Sequence, residues 1–185
     1  LCSNAHQTRT CLLGRLKPLW GGPVAEAVIV LEHRLPTDAP PMSSVLRSLQ
    51  LPLTAEQRTV LRGRRRSRCG EDLLLQLPRE GPLQPGDRLM DGLRTLQVTV
   101  VAAPEPLLRV QATTAEELLQ AAYHLGNRHV SLEVHPQELL LLRDSVLEAM
   151  LRSRGLELSS CERPFVPEGG AYGGGYQHVH GHQPA

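Results

Sequence analysis

Three histidines near the end of the chain occupy alternate positions: His178, His180 and His182. Neutral imidazole is a ligand for Zn, Cu, Ni and Fe ions, and short His-rich tracts are typical of metal-binding segments. The plainer alternatives are a polar tail without function and the remnant of an expression tag. Because an alternating H-x-H-x-H pattern is not a usual tag, we interpret the tract as a metal-binding one.

Two further histidines, His124 and His129, flank a Gly-Asn pair in the segment HLGNRHV. The pattern predicts a helix that contains His124 in its last turn and ends with Gly126 in the left-handed conformation. A cation in that turn gains roughly 0.3–1 kcal/mol from the helix dipole, which is sufficient reason for His124. Residues 128–135 alternate polar and apolar side chains, which predicts a strand. Its apolar set is expected beneath the helices, so His129 is expected on the open face of the sheet.

A single exposed histidine cannot hold a metal ion by itself. A two-fold dimer through the open sheet face would bring two copies of His129 to one axis. The chain from Val166 to His178 is rich in glycine, and as a flexible segment it has a root-mean-square reach of about 20 Å. We therefore hypothesise a metal site that is shared by a dimer and completed by the tail histidines.

Five arginines cluster in and after one predicted strand: Arg62, Arg64, Arg65, Arg66 and Arg68. Their functional interpretation is an anionic partner such as RNA or a phosphate. The alternative is a solvated strand with acidic residues across the following turn. The formal net charge is only +1, and no aromatic side chain interleaves to stack on bases. We favour the solvated strand and expect no nucleic-acid partner.

The first half of the chain must supply a scaffold of short strands. Apolar runs alternate with turn signals such as Pro85-Gly86-Asp87 and Asp91-Gly92, which is typical of β structure. Two runs around a Gly-containing turn, between residues 59 and 78, predict a hairpin. Residues 54–62 are the one helix candidate before Ala103. The aromatic content is 3%, so the core is expected to consist of aliphatic side chains.

After Pro104 the spacing of the apolar residues along the chain changes. A strand at 107–112 precedes a helix whose start carries a capping box, with Thr113 or Thr114 as the N-cap. Two strands follow, then a second helix with an expected capping box of Ser145 and Glu148. Gly155 is expected to stop this helix, and a final strand follows. The order β-α-β-β-α-β is the ferredoxin-like arrangement. Its helices cover one sheet face, and the other face is expected to meet solvent or a partner.

The sequence therefore predicts an α+β protein with a small N-terminal β domain, a ferredoxin-like βαββαβ domain and a flexible His-containing tail. We place the β domain at 26–104 and the ferredoxin-like domain at 105–163. Residues 164–185 are rich in Gly and Pro and bury too little to order themselves. Residues 1–25 fit neither a secretory signal nor a domain, and we expect a disordered extension there.

Several functional classes find no support in the sequence. It contains no P-loop, no G-x-S-x-G and no H-E-x-x-H motif, so an enzyme is not expected. The four cysteines are scattered without a C-x-x-C pair, which favours free thiols in a reducing cytoplasm over a zinc site or disulfides. No apolar run approaches the roughly 18 residues of a membrane span, and we expect no membrane association.

Several segments resemble one known family. The block AAYHLGNRHVSLEV, followed by DSVLEAMLRSRGLEL and PFVPEGGAYGGG, is similar to the urease accessory protein UreE. The segments LPLTAEQRTVLRGRRRSR and LLLQLPREGPLQPGDRL resemble the first domain of that family. The resemblance covers roughly residues 26–182.

The resemblance implies a cytoplasmic homodimer that binds Ni(II) as cargo. In the family, the ion is delivered to the urease apoprotein and its accessory complex through the GTPase UreG. The family's N-terminal β domain is likened to a peptide-binding chaperone module, and its second domain is ferredoxin-like. The family's central ligand is the second His of the GNRH block, which matches His129. C-terminal histidines add ligands, and His178, His180 and His182 are the candidates here.

The chain also departs from the family pattern. Some members carry further histidines where this chain has LLLLRDSVLE, and some have long polyhistidine tails. We therefore expect few nickel ions per dimer. Imidazoles do not select nickel, and Cu(II) or Zn(II) is expected to bind in vitro. The alternative function is a non-catalytic interaction module with incidental metal binding, and a zinc hydrolase is a third reading that lacks visible support.

Overall fold

The computed structural model describes residues 28–39 and 47–169. Within these ranges the chain is an α+β protein of mostly strands with three helices. The strands are β1 (Ile29–Leu31), β2 (His33–Leu35), β3 (Arg47–Leu53), β4 (Arg62–Arg66), β5 (Asp72–Gln76), β6 (Arg88–Met90), β7 (Leu96–Ala102), β8 (Pro104–Gln111), β9 (Glu133–His135), β10 (Glu138–Leu142) and β11 (Glu157–Pro164). The helices are α1 (Ala55–Thr59), α2 (Ala115–Gly126) and α3 (Ser145–Ser153).

The described residues form two compact units that divide between Ala103 and Pro104. No helix among them is long and apolar enough to cross a membrane.

The first unit holds two sheets, with strand orders β1-β5-β4 and β2-β6-β7-β3. The predicted hairpin is confirmed, since β4 pairs antiparallel with β5. The core of the first unit is aliphatic, as expected. It consists of Leu31, Leu49, Leu51, Leu53, Leu73, Leu75, Leu77, Leu83, Leu89, Leu96, Val98 and Val100.

The second unit contains β8, α2, β9, β10, α3 and β11, in the β-α-β-β-α-β order that the sequence predicts. Its four strands form one antiparallel sheet with the order β11-β8-β10-β9. One sheet face packs on both helices through a buried cluster: Leu108, Val110, Leu118, Ala121, Leu125, Leu132, Leu139, Leu141, Leu151 and Leu156. We call the opposite side the open face.

The two helices of this unit begin with different caps. Thr114 caps α2 in a capping box with Glu117, because each side chain accepts a hydrogen bond from the other residue's backbone N–H. The capping box expected at Ser145 and Glu148 is wrong. Asp144 is the N-cap of α3, and its carboxylate accepts the backbone N–H groups of residues 146 and 147. A carboxylate satisfies two of the free helix N–H groups alone, so no reciprocal partner is needed.

Helix α2 ends at Gly126, but the left-handed residue that closes it lies further along the chain. Gly126 is not in the left-handed conformation; His129 is, with a φ of 57°. The backbone N–H of Val130 donates to the carbonyl of Leu125, and that of His129 donates to the carbonyl of Gly126. This pair of bonds is the Schellman motif, with His129 as its left-handed residue. The prediction of a left-handed Gly126 is therefore wrong, and the left-handed residue is His129, three positions later.

The predicted strand at 128–135 is also shorter than expected. Only Glu133–His135 pair with β10, and His129 lies in the turn that follows α2. Strand alternation therefore does not apply at His129. It does apply from Glu133 onward, where Glu133 and His135 lie on the open face, because their partners in β10 alternate with the helix-facing Leu139 and Leu141.

Candidate metal centre

The imidazole of His129 is exposed at the end of α2. Its backbone is fixed by the two Schellman hydrogen bonds, of 2.9 Å from His129 N and 3.2 Å from Val130 N. Leu125 is fully buried, and Val130 packs against the same core. The chain therefore holds His129 on a rigid helix end while its side chain stays accessible. This geometry suits a group that must meet a ligand from outside the chain.

His124 has a different environment. It lies in the last turn of α2, as the sequence predicts, and it is half-buried. Its ring stands edge-on to Tyr123, with 5.6 Å between the ring centroids and an interplanar angle of 70°. Aromatic contact and the helix dipole account for this residue, so nothing assigns it to a metal.

The open face carries a His–Glu pair on β9. His135 Nε2 lies 2.9 Å from Glu133 Oε1. The other carboxylate oxygen of Glu133 accepts the backbone N–H of Val166 at 2.8 Å. Glu133 is thus engaged on both oxygens, and it joins β9 to the chain that follows β11.

A second acidic group on the open face is neutralised within the sheet. Glu138 of β10 accepts a hydrogen bond of 2.9 Å from Arg163 and another from Arg109. The Arg163 hydrogen bond, assisted by Arg109, holds the pKa of Glu138 below its ordinary value despite partial desolvation. The carboxylate is therefore matched by two guanidinium groups and is not a spare ligand.

The segment after β11 crosses the open face. We call residues 165–168 the strap. Phe165 is fully buried, Val166 donates to Glu133, and the N–H of Glu168 donates to the carbonyl of Leu132 at 2.6 Å. Since β11 and β9 are the two edges of the sheet, the strap runs from one edge to the other.

The structure differs from two expectations in this region. Residues 164–169 were assigned to a tail that does not order itself, yet Pro164 belongs to β11 and Phe165 is buried. The open face was expected to meet solvent or a partner, yet Leu107 and Leu140 of that face are fully buried outside the helix-side core. These two side chains are therefore buried within the chain rather than exposed to solvent. The single phenylalanine of the chain was the available signal.

The ligand set predicted from the sequence is only partly visible. His129 is described, whereas His178, His180 and His182 lie outside the described residues, as does the 1–25 extension. Within residues 28–39 and 47–169, no three His, Cys, Asp or Glu side chains come close enough to hold a metal ion. A complete site is therefore absent from the described part of a single chain.

The arginine cluster lies in the first unit and is arranged as a solvated strand. Arg62, Arg64 and Arg66 are exposed at alternate positions of β4, an edge strand. Arg65 instead donates to the carbonyls of residues 60 and 64, and Arg68 donates to Gln50. The nearest acidic partner is Asp72, 4.0 Å from Arg66.

Comparison with known proteins supplies the family. Residues 105–185 match the family described as UreE urease accessory protein, C-terminal domain. A urease accessory protein UreE of Synechococcus sp. (strain WH7805) is 72% identical over 151 residues, which cover 82% of this chain and 86% of that protein. The chain belongs to the UreE urease accessory protein family. The UreE protein of Parasynechococcus marenigrum (strain WH8102) is 59% identical over 158 residues, covering 85% of this chain and all of that protein.

A third UreE protein is less similar to this chain than the two above. The UreE protein of Thermosynechococcus vestitus is 55% identical over 130 residues, or 68% of this chain and 88% of that protein. The C-terminal family match begins at residue 105 and includes α2, His129, the strap and the His-rich end. The candidate site thus lies entirely within the part of the chain that this family match spans.

Proposed function

We propose that this chain is a nickel metallochaperone that delivers Ni(II) for assembly of the urease metallocentre, and that it is not an enzyme. The observation that carries the proposal is an exposed His129, held on a rigid helix end, in a chain of the UreE family. In this proposal the second unit is a ferredoxin-like metal-binding domain. The ion is cargo that is bound and passed on.

We infer that two chains share the ion, because the described residues of one chain do not supply a complete ligand set. One His129 offers one imidazole, and the described residues add no cluster of ligands. We propose that a homodimer brings two copies of His129 together and that His178, His180 and His182 complete the site. A site assembled from several weak contributions can exchange ligands stepwise, which suits transfer to a partner.

The partners and the compartment of the proposal come from the family resemblance. We propose that the chain acts in the cytoplasm and hands nickel to the GTPase UreG and the urease apoprotein complex. The choice of nickel has the same origin, because imidazoles bind Cu(II) at least as tightly. Zn(II) and Cu(II) are therefore expected to bind the same residues in vitro.

Metal titration tests the assignment of His129. Ni(II), Zn(II) and Cu(II) are titrated by calorimetry into the full chain and into His129→Ala, with oligomeric state followed by light scattering. We expect His129→Ala to weaken nickel binding by at least about 100-fold, because loss of outer-shell partners alone costs about 10–100-fold. His124→Ala is the matched control, five residues earlier in the last turn of α2, and is expected to change affinity less than about twofold. Equal effects of the two substitutions would refute the assignment.

A pH series tests imidazole ligation itself. Metal ions bind the neutral form of histidine, and proton uptake competes with them. Nickel affinity is therefore expected to fall as pH drops through about 6.5, where histidine ordinarily titrates. Affinity that stays constant from neutral pH to about 5 would exclude imidazole as the principal ligand.

A further inference from the structure

We propose that three arginines of β4 bind an extended acidic segment of a partner protein through their side chains. The three residues are Arg62, Arg64 and Arg66, and we call them the arginine stripe. They lie in the first unit, and the proposal uses residues of that unit alone. It goes beyond the proposed function, because it assigns a second binding surface that does not involve a metal.

Strand alternation places the arginine stripe on the face of the β1-β5-β4 sheet that points away from the core. In the pairing of β4 with β5, Arg65 lies opposite Leu73, which is fully buried in the core of the first unit. The stripe occupies the alternate positions, so its side chains leave from the other face, and all three residues are exposed. Alternate residues of a strand are about 6.6–6.8 Å apart. The stripe therefore presents guanidinium groups at a regular spacing.

The positive charge of the stripe is largely unmatched. The segment 58–68 contains six arginines and no acidic residue. Within residues 28–39 and 47–169, the side chains of Arg62 and Arg64 have no hydrogen bond and no ion pair. The carboxylate of Asp72 lies 4.0 Å from Arg66, which still keeps 70% of its side chain exposed. An anionic partner can therefore pair with these arginines without first breaking strong internal ion pairs.

The backbone at the outer edge of β4 argues against a partner that extends the sheet. Residues 61 and 67 exchange hydrogen bonds with β5, so the carbonyl of Arg64 points away from β5 in the antiparallel ladder. The guanidinium of Arg65 donates to this carbonyl at 2.7 Å and to that of Val60 at 3.3 Å. An added strand would have to displace this guanidinium. We therefore assign recognition to the side chains of the stripe.

The spacing of the stripe selects an extended acidic chain as the occupant. Such a chain has the same two-residue period as β4, so carboxylates at alternate positions each meet one guanidinium. Each carboxylate can accept two parallel N–H bonds from an arginine. A second copy of the protein that pairs through β4 is disfavoured, since it would bring arginine opposite arginine. Nucleic acid fits less well, because the neighbouring positions 72, 74 and 76 of β5 carry no aromatic side chain for stacking.

A hollow of about 400 Å³ continues this surface at the start of β4. Arg62 and Arg79 line it beside the apolar side chains of Val60 and Pro82. None of the described residues that line the hollow is acidic. The surface that faces the incoming segment is therefore cationic beyond the stripe itself.

The first test uses the full-length chain and a fluorescein-labelled peptide in which glutamate alternates with threonine. Fluorescence anisotropy measures the affinity. The stripe variant carries Arg62→Gln, Arg64→Gln and Arg66→Gln. It is expected to bind the peptide at least about tenfold more weakly, because each exposed charge pair contributes up to about fivefold. No measurable binding to the natural chain would overturn the proposal.

A matched control removes the same charge elsewhere. It replaces three exposed arginines of the second unit, in a variant with Arg143→Gln, Arg152→Gln and Arg154→Gln. This variant is expected to change the affinity for the peptide less than about twofold, since net charge acts on exposed groups only weakly beyond a Debye length of about 10 Å. Equal losses in the two variants would mean that the peptide responds to net charge alone, and would overturn the proposal.

A rearranged peptide tests the spacing with the natural chain, so the folding of variants does not enter the comparison. It has the same composition, but pairs of glutamates are separated by pairs of threonines. Each face of the extended peptide then carries glutamate only at every second position of that face. At least one of the three charge pairs is lost, and we expect binding about threefold weaker. Equal affinity for the two peptides would contradict recognition by the two-residue period.

Asp72→Asn gives a change of the opposite sign. It removes the carboxylate nearest to Arg66, which would otherwise repel the incoming segment and compete with it. We expect the affinity for the alternating peptide to rise about twofold. Damage to the fold cannot produce such a gain, and unchanged or weaker binding would contradict the placement of the segment at Arg66.

An oligothymidine of the same charge as the peptide distinguishes the two kinds of polyanion. We expect it to bind more weakly than the alternating peptide. Tighter binding that the stripe variant abolishes would assign the surface to nucleic acid and overturn the proposal. The stripe variant is also titrated with Ni(II), and its nickel affinity is expected to be unchanged. Failure of the peptide experiments therefore leaves the nickel proposal to be judged by His129→Ala.

Discussion

Helices α2 and α3 end in the same motif, built from residues of the same kind. In each, a fully buried leucine gives its carbonyl to the N–H five residues on, Leu125 to Val130 and Leu151 to Leu156. In each, the residue before that donor is left-handed. On α3 this residue is Gly155, with a φ of 79°, and on α2 it is His129, with a φ of 57°.

The difference between these helix ends concerns the one position that favours glycine. A residue with a Cβ in the left-handed region costs roughly 1–2 kcal/mol relative to its ordinary conformation. Arg94 has the same φ in a turn, so this conformation alone does not mark a site. At His129 it coincides with an exposed imidazole in a family-matched segment. The comparison teaches that α3 has the residue that its backbone favours, whereas α2 has a residue with a backbone cost, whose side chain the proposed function would use.

The largest expected effect tests whether the two helix ends are equivalent in packing. Leu125→Ala and Leu151→Ala each remove a fully buried side chain from the same core. Each is expected to lower the free energy of unfolding by about 2–5 kcal/mol. Urea titration followed by circular dichroism measures both. A loss at one leucine several times that at the other would break the equivalence of the two ends.

The sequence predicts one of these ends and misplaces the other. Gly155 stands where α3 stops, and the rule that glycine ends helices succeeds there. On α2 the same rule selects Gly126, because a glycine is available near the end of the periodic pattern. The chain instead turns at His129, where Leu125 and Val130 meet in the core. That contact is tertiary, so a rule based on local residue preference cannot find it.

In the sequence, strand alternation singles out His129 as an exposed residue. The structure does not support that argument at residue 129. Strand alternation placed His129 on the open face, but the strand begins only at Glu133. The exposure of His129 follows from the helix end instead. The strap was missed because the composition of 164–185 predicts no order. One buried Phe165 and two hydrogen bonds suffice for it, and neither leaves a periodic pattern.

The second-largest effect is expected from substitutions that exchange the residue types at the ends of α2 and α3. Gly155→Ala introduces a Cβ at a left-handed position and is expected to cost about 1–2 kcal/mol. His129→Gly removes such a Cβ and is expected to leave a chain more stable than His129→Ala by about 1 kcal/mol, although both lose the imidazole. Equal stabilities of His129→Gly and His129→Ala, in the same urea titration, would show that the left-handed conformation has no cost.

The smallest expected effect concerns the exposed side-chain pairs of the two helices. On α3, Arg152 and Glu148 form an ion pair of 2.7 Å at i,i+4 spacing. On α2, Gln120 donates to Glu116 at 3.3 Å with the same spacing. Such pairs contribute about 0.2–0.5 kcal/mol each. Glu148→Gln and Glu116→Gln are therefore expected to reduce stability by similar small amounts in dilute buffer.

Salt separates the two pairs, because it screens the attraction between two exposed charges more than a hydrogen bond from a neutral amide. At about 1 M salt the Debye length is about 3 Å, and the effect of Glu148→Gln is expected to vanish while that of Glu116→Gln persists. The measurement is a thermal unfolding series at about 0.1 M and 1 M sodium chloride. The same salt response for both substitutions would indicate that the Arg152 charge contributes nothing to the stability of α3.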